Sequence, residues 1–166
     1  MELCFGDGFY TKYFYSCIAK QIIACDFDKD AVKYASKQNK TLNIEYMLCD
    51  IRYNMPEGLF DNIIWDAGLA IFSTGELDDI IKNIKLRLKK DQGILSGSTP
   101  AEPADGKSYI MHKYEFKNME DLKRFFKPYF KNVVVFETIY PDRHNLYFWA
   151  SDGIIPFSED WKHWTK

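Results

Sequence analysis

E-L-C-F-G-D-G-F fills residues 2–9, and A-C-D-F-D follows at 24–28. Two glycines one residue apart, then an acid that closes the next apolar run 18 positions after Gly8, read as strand, tight turn, helix and second strand. Glycine lets the backbone turn sharply and leaves no Cβ between main chain and ligand.

The chain outside this stretch repeats the same alternation. Residues 9–20 are dense in aromatics with no helix breaker, which predicts a helix packed on a sheet, and residues 21–26 predict a buried strand. Asp28 is placed to cap a helix whose Ala31, Val32 and Ala35 share one face. Residues 43–49 are the next strand, again ended by an acid, Asp50. Pro56 and Gly58 signal a turn before a strand at 62–67. From Glu76 onward Leu77, Ile80, Ile81, Ile84 and Leu88 recur at helical spacing. A fifth strand reaches Thr99, and residues 110–116 fit either a strand or an extended loop. Met119, Leu122, Phe125 and Phe126 share a helix face that Pro128 must end. Residues 131–140 and 145–151, joined by P-D-R-H, predict an antiparallel hairpin.

The expected fold is therefore α/β and Rossmann-like: a seven-stranded, mostly parallel sheet with an antiparallel C-terminal hairpin, in three α/β/α layers. Residues 1–152 are expected to form one domain. Residues 153–166 are read as a tail packing on it, with Phe157, Trp161 and Trp164 laid over an apolar face.

Composition narrows the class. With 46% hydrophobic and 28% charged residues and no apolar run near the ~18 needed to span a bilayer, the chain reads as a globular protein with no membrane partner. No export signal opens it, so a cytoplasmic location is expected. At a net charge of −2, a nucleic acid would have to be held by a local basic patch and not by overall charge, and no such partner is expected. Cys4, Cys17, Cys25 and Cys49 lack CxxC spacing and read as free thiols, with no metal site.

In an open parallel sheet, ligands bind beyond the carboxyl ends of the strands. The residues there are Gly6 to Gly8, Asp26, Asp50, Trp65 to Gly68, Ser98 and Thr99. An acid at the second strand tip can accept from two ribose hydroxyls, and one at the third from an adenine amine. Taken singly, Asp26 also reads as a helix cap and Asp50 as a surface turn. Together with the glycines they describe an adenosine pocket. A dinucleotide site wants G-x-G-x-x-G, and its third position here is Thr11, so that fingerprint fails.

The order of motifs resembles class I S-adenosylmethionine-dependent methyltransferases, whose first motif is E-x-G-x-G-x-G. Here it reads Glu2, Cys4, Gly6, Gly8, with cysteine for the first glycine. The resemblance continues through A-C-D-F-D-K-D-A-V, L-C-D-I-R and F-D-N-I-I-W-D-A to the terminal hairpin. It implies S-adenosyl-L-methionine as cofactor. Glu2, Gly6 and Gly8 would line its methionine part, Asp26 would hold the ribose, and Asp50 with Ile51 would flank the adenine, with Cys4 and Phe27 also among the cofactor-binding residues. Trp65 and Asp66 would lie beside the sulfonium. The chain starts inside the first motif, so the family's N-terminal cover is expected to be missing.

Asp66 and His112 are the candidate catalytic groups, set against the plainer readings of a polar strand end and a solvent-facing imidazole. His144, in the predicted hairpin turn, is the lesser candidate. Motif four lacks N-P-P-Y or D-P-P-Y, which argues against amide and nucleobase amines. The expected activity is methyl transfer to a small-molecule or saccharide oxygen or nitrogen. The alternatives are a degenerate fold that binds the cofactor weakly or not at all, and an NAD(P)-dependent oxidoreductase.

Overall fold

Hydrophobic runs too short to stand as helices become strands, and the spaced apolar residues between them become helices. The computed structural model describes residues 1–103, 108 and 110–156, so the aromatic tail of Phe157, Trp161 and Trp164 lies outside the described residues. Seven strands form a mixed sheet. The chain divides into two compact units, Met1–Gly58 and Leu59–Lys166.

In the first unit the strands β1 (Glu2–Leu3), β2 (Ile22–Asp26) and β3 (Ile44–Leu48) lie in the order β3-β2-β1, all parallel. Leu3 pairs with Cys25, and Asp26 with Leu48, so three carboxyl ends finish on one edge. Helix α1 joins a π-helical stretch, Thr11–Tyr15, to a short α-helical one, Ser16–Ile18. Helix α2 (Lys29–Gln38) starts where expected, because the Asp28 carboxylate accepts from the Asp30 and Ala31 amides. Phe5, Ile22, Ala24, Ala35 and Ile44 form the core, with Tyr15, Ala19, Val32 and Tyr46 packed against it.

One expectation is corrected here. Helix α1 packs on the sheet, but four of the aromatics at 9–20 do not: Phe9, Tyr10, Tyr13 and Phe14 are all exposed and touch one another, with ring centroids 4.9–6.1 Å apart for the pairs Phe9–Tyr13 and Phe9–Phe14. The inward stripe is Thr11, Tyr15 and Ala19, spaced four apart. Composition alone cannot tell which face of an all-round apolar helix turns inward.

In the second unit β4 (Asn62–Asp66), β5 (Ile94–Pro100), β6 (Asn132–Tyr140) and β7 (Arg143–Ser151) lie in the order β4-β5-β7-β6. The β4–β5 pair is parallel, and β5–β7 and β7–β6 are antiparallel. Helix α3 (Thr74–Arg87) begins two residues before Glu76, because Ser73 and Glu76 form a capping box; Leu77, Ile80, Ile81 and Ile84 are its buried residues. Helix α4 (Met119–Phe126) is capped by Asn118 and ends before Pro128. Residues 110–116 form a loop, resolving the open alternative, and Arg143 and His144 belong to β7, not to the turn.

Candidate active site

The first unit's strand ends build a cradle. The Cys4 amide donates to the Cys25 carbonyl at 2.8 Å, extending the ladder one residue past β1. The chain then leaves the sheet through three left-handed residues in alternation, Cys4 (φ 57°), Gly6 (φ 62°) and Gly8 (φ 74°). The two glycines do different work. A Cβ on Gly6 would meet nothing within 4 Å, so open space lies over its backbone. A Cβ on Gly8 would stand 2.9 Å from Ala35 Cβ and from Tyr46 Oη, so Gly8 lets the turn sit against α2 and β3.

Asp26 is buried, at 6% exposure. Its Oδ2 accepts the Gly6 amide at 2.9 Å and its Oδ1 the Asp28 amide at 3.0 Å. These are backbone donors, not cations. Each carboxylate oxygen offers about two acceptor positions, so the two amides leave one on each. Phe27, next along, is 54% exposed and presents an apolar ring at the same edge.

The Cys49 amide donates to the Asp26 carbonyl, which carries the ladder to Asp50. Asp50 holds Arg52 in a fork: Arg52 Nε lies 2.9 Å from Oδ1 and a terminal guanidinium nitrogen 2.6 Å from Oδ2, and the Arg52 amide donates to Oδ1 at 3.1 Å. Ile51 and Glu2 are buried, at 3% and 4%. All four cysteines are free thiols. A hydrogen bond with Cys49, then burial, push the Cys25 thiol far up, so it stays protonated and inert.

In the second unit, β4 ends at Asp66 and β5 at Pro100. Trp65 is wholly buried, its ring edge-on to Phe72 at 5.7 Å, so its side chain is a core group and only its backbone is left for a ligand. Asp66 Oδ1 accepts from Ser98 Oγ at 3.0 Å across the parallel pair. The chain turns away through Ala67 at φ 55°, whose amide donates to the Ser98 carbonyl.

The loop that carries His112 is fastened to these same strand ends. The Lys113 and Tyr114 amides both donate to the Ala70 carbonyl, and Phe116 bridges Ala101, the first residue after β5. His112 Nδ1 is hydrogen-bonded to Glu115 Oε1, and the two side chains are 13% and 4% exposed. His144 is bound instead to Glu137 across the hairpin, at 2.9 Å. Reading the sequence placed Ser98 at a strand end without a partner, and it missed Arg52 and Glu115. The spacings D-x-R at 50–52 and H-x-x-E at 112–115 were visible signals for both.

Among the described residues no helix is long and apolar enough to cross a membrane. A family model described as a methyltransferase domain matches residues 1–91. No curated protein matches the chain. Among solved structures, the chain is similar to DhpI in complex with SAH (TM-score 0.74, 17% identity, 92% of this chain and 75% of that one). It is also similar to the N-methyltransferase NodS from Bradyrhizobium japonicum WM9 (0.72, 15%, 92% and 84%). A third is the magnesium protoporphyrin IX methyltransferase ChlM from Synechocystis PCC 6803 with bound SAH (0.71, 14%, 90% and 71%). At such identities the likeness is one of fold.

Proposed function

The chain belongs to the methyltransferase-domain family and is an S-adenosylmethionine-dependent methyltransferase, and we propose that it methylates an oxygen or nitrogen of a small molecule or saccharide. The cofactor supplies a methyl group on a positively charged sulfur, which leaves as a neutral thioether. Asp26 holds the ribose hydroxyls, and the open backbone at Gly6, with Glu2, Cys4 and Gly8 around it, takes the methionine part. Phe27, Asp50 and Ile51 bound the adenine. On the second unit, Asp66 and His112 are the groups that meet the acceptor.

The observation that carries this reading is the Asp26 carboxylate. It is buried, fixed by two backbone amides, bound to no cation among the described residues, and left with one acceptor position on each oxygen. Two vicinal hydroxyls are the donors that fit such a pair. The unobstructed space over Gly6 supports the same fit. Cys4 keeps a left-handed backbone where the family's motif has glycine, so the path of the loop survives the substitution.

Methyl transfer needs its nucleophile oriented and in the right protonation state, tasks for residues held on strand ends. Asp66, bonded to Ser98, and His112, bonded to Glu115, are so held.

Calorimetric titration with S-adenosylhomocysteine and, separately, with NAD tests the reading. Micromolar binding of the first and none of the second is expected. Silence from both would favour a degenerate fold, and binding of NAD alone an oxidoreductase.

A further inference from the structure

Outside the cofactor cradle, the first unit leaves an apolar stripe in water. Residues 9–18 are helical throughout, and Thr11, Tyr15 and Ala19, each four apart, turn to the sheet. Phe9, Tyr10, Tyr13, Phe14, Cys17 and Ile18 therefore fall together on the opposite side. The four rings are 46–61% exposed and Ile18 is 87% exposed, and Cys17 is an exposed thiol. The solvated face of a helix is ordinarily polar, so an apolar stripe along its whole length marks a contact.

A basic stripe runs beside it. Helix α2 packs against the same core, and Lys12 Nζ reaches the Gln38 carbonyl at 2.9 Å, so the two helices lie together on one face of the sheet. Lys29, Lys33, Lys37 and Lys40, spaced four, four and three apart, are exposed along α2 and just past its end. Among the described residues none of these four has an ion pair, and neither has Lys20, just beyond α1. The acids nearby are otherwise engaged or stand at one end: Asp7 takes the Phe9 amide, Asp28 caps α2, and Asp30 lies in the first turn of α2.

We infer that this pair of helices is a docking surface for an anionic lipid bilayer. The rings and Ile18 enter the boundary between headgroups and acyl chains, and the lysines lie against the lipid phosphates. The contact is made on a bilayer and not through it, and it departs from the expectation, drawn from composition, of no membrane partner. It stands apart from the methyltransferase reading above.

Charge and ring geometry choose this occupant over two others. In a twofold contact with a second copy the same patch faces itself, so each copy would bring its own unpaired lysines to the other's. A single-stranded nucleic acid stacks its bases on open ring faces. Here the rings lean on one another, with centroids 4.9–6.1 Å apart and interplanar angles of 34–89°, which covers those faces. A bilayer asks only for apolar depth flanked by cations.

Sedimentation of the full chain with unilamellar vesicles tests the proposal. One set is phosphatidylcholine alone, the other two parts phosphatidylcholine to one of phosphatidylglycerol. Binding to the mixed vesicles, little to the neutral ones, and release as salt rises are expected. Phe14→Gln with Ile18→Gln, and separately Lys33→Gln with Lys37→Gln, should each weaken binding about tenfold or more. Lys90→Gln with Lys127→Gln removes the same charge from exposed positions of the second unit and should leave binding as in the parent. A polarity-sensitive fluorophore on Cys17, with Cys17→Ser as the blank, should shift to the blue with mixed vesicles. That readout keeps the apolar and basic stripes as they are, so it decides even where a multiple variant loses its urea transition. No binding to mixed vesicles, equal binding to neutral ones, an unmoved fluorophore, or an equal loss in the control pair overturns the proposal. A dimer, or a complex with single-stranded RNA, that Phe14→Gln with Ile18→Gln dissolves also overturns it, because the stripe then belongs to that partner.

Discussion

Asp26 Oδ2 accepts the Gly6 amide at 2.9 Å, so the acid at the tip of β2 clamps the turn that follows β1. The strand end and the glycine turn, 20 residues apart, are a single structure. Removing the acid should therefore disturb both the ligand and the turn.

For Asp26→Ala the expected loss of S-adenosylhomocysteine affinity is about 1–3 kcal/mol, the cost of leaving hydroxyls unpaired in a buried site. Calorimetry measures it, and urea midpoints of the same samples separate binding from the loosened turn. Unchanged affinity would reject the ribose assignment.

Gly8→Ala should destabilise by about 1–3 kcal/mol, because the new Cβ would lie 2.9 Å from both Ala35 and Tyr46 and the core must yield. Gly6→Ala meets no neighbour, so its cost is the left-handed strain alone, about 1 kcal/mol, while the methyl intrudes on the cradle. Urea unfolding should thus report mainly on position 8, and calorimetry on position 6. The reverse order contradicts the division of labour.

If Asp50 takes the adenine amine, S-inosylhomocysteine, with a carbonyl in its place, should bind the parent protein at least about tenfold more weakly than S-adenosylhomocysteine. Asp50→Ala should erase that preference. Arg52→Ala is expected to cost stability only about 0.2–1 kcal/mol, as the pair is one-third exposed on the arginine side. A preference surviving in Asp50→Ala moves the adenine contact elsewhere.

Cys4 sits at φ 57°, where an L-residue pays about 1–2 kcal/mol. Cys4→Gly relieves that cost but gives the unfolded chain about 0.4–1 kcal/mol of extra freedom, so a small net gain in the urea midpoint is expected. Cys4→Val, branched at Cβ, should be destabilised by more than 1 kcal/mol. Equal midpoints for glycine and valine would rule out strain at this position.

Burial, aided by a hydrogen bond to Asp78, pushes the Tyr129 phenol up to about 12. Because the folded value lies above the ordinary one near 10, the folded chain keeps this proton longer than the unfolded chain does. Its contribution to stability is whole below pH 10 and is lost as pH rises through 12. The phenolate absorbance difference between the parent protein and Tyr129→Phe should appear near pH 12. Asp78→Asn should bring it only part of the way down, since burial is the larger cause.

The sheet was legible because its strands are short, apolar and closed by punctuation that has one local meaning. Asp28 caps α2 as its position implied, and Leu77, Ile80, Ile81 and Ile84 line the buried face of α3. The site was legible in part. Asp26 and Gly6 announce themselves by spacing, whereas Glu115 reads as one more acid in a charged loop until the fold turns it toward His112. Trp65 shows the limit from the other side: its place at a strand end was readable, but alternation along β4 puts its ring in the core.

By itself the sequence determined the order of strands and helices and the edge where their acids and glycines gather, because periodicity, caps and turn residues act over a few positions. Only the tertiary structure decided which partners those groups take: Arg52 on Asp50, Glu115 on His112, open space over Gly6 and a packed wall behind Gly8. A hydrogen bond or a collision depends on a few tenths of an ångström between side chains, and those distances exist only once the chain has packed.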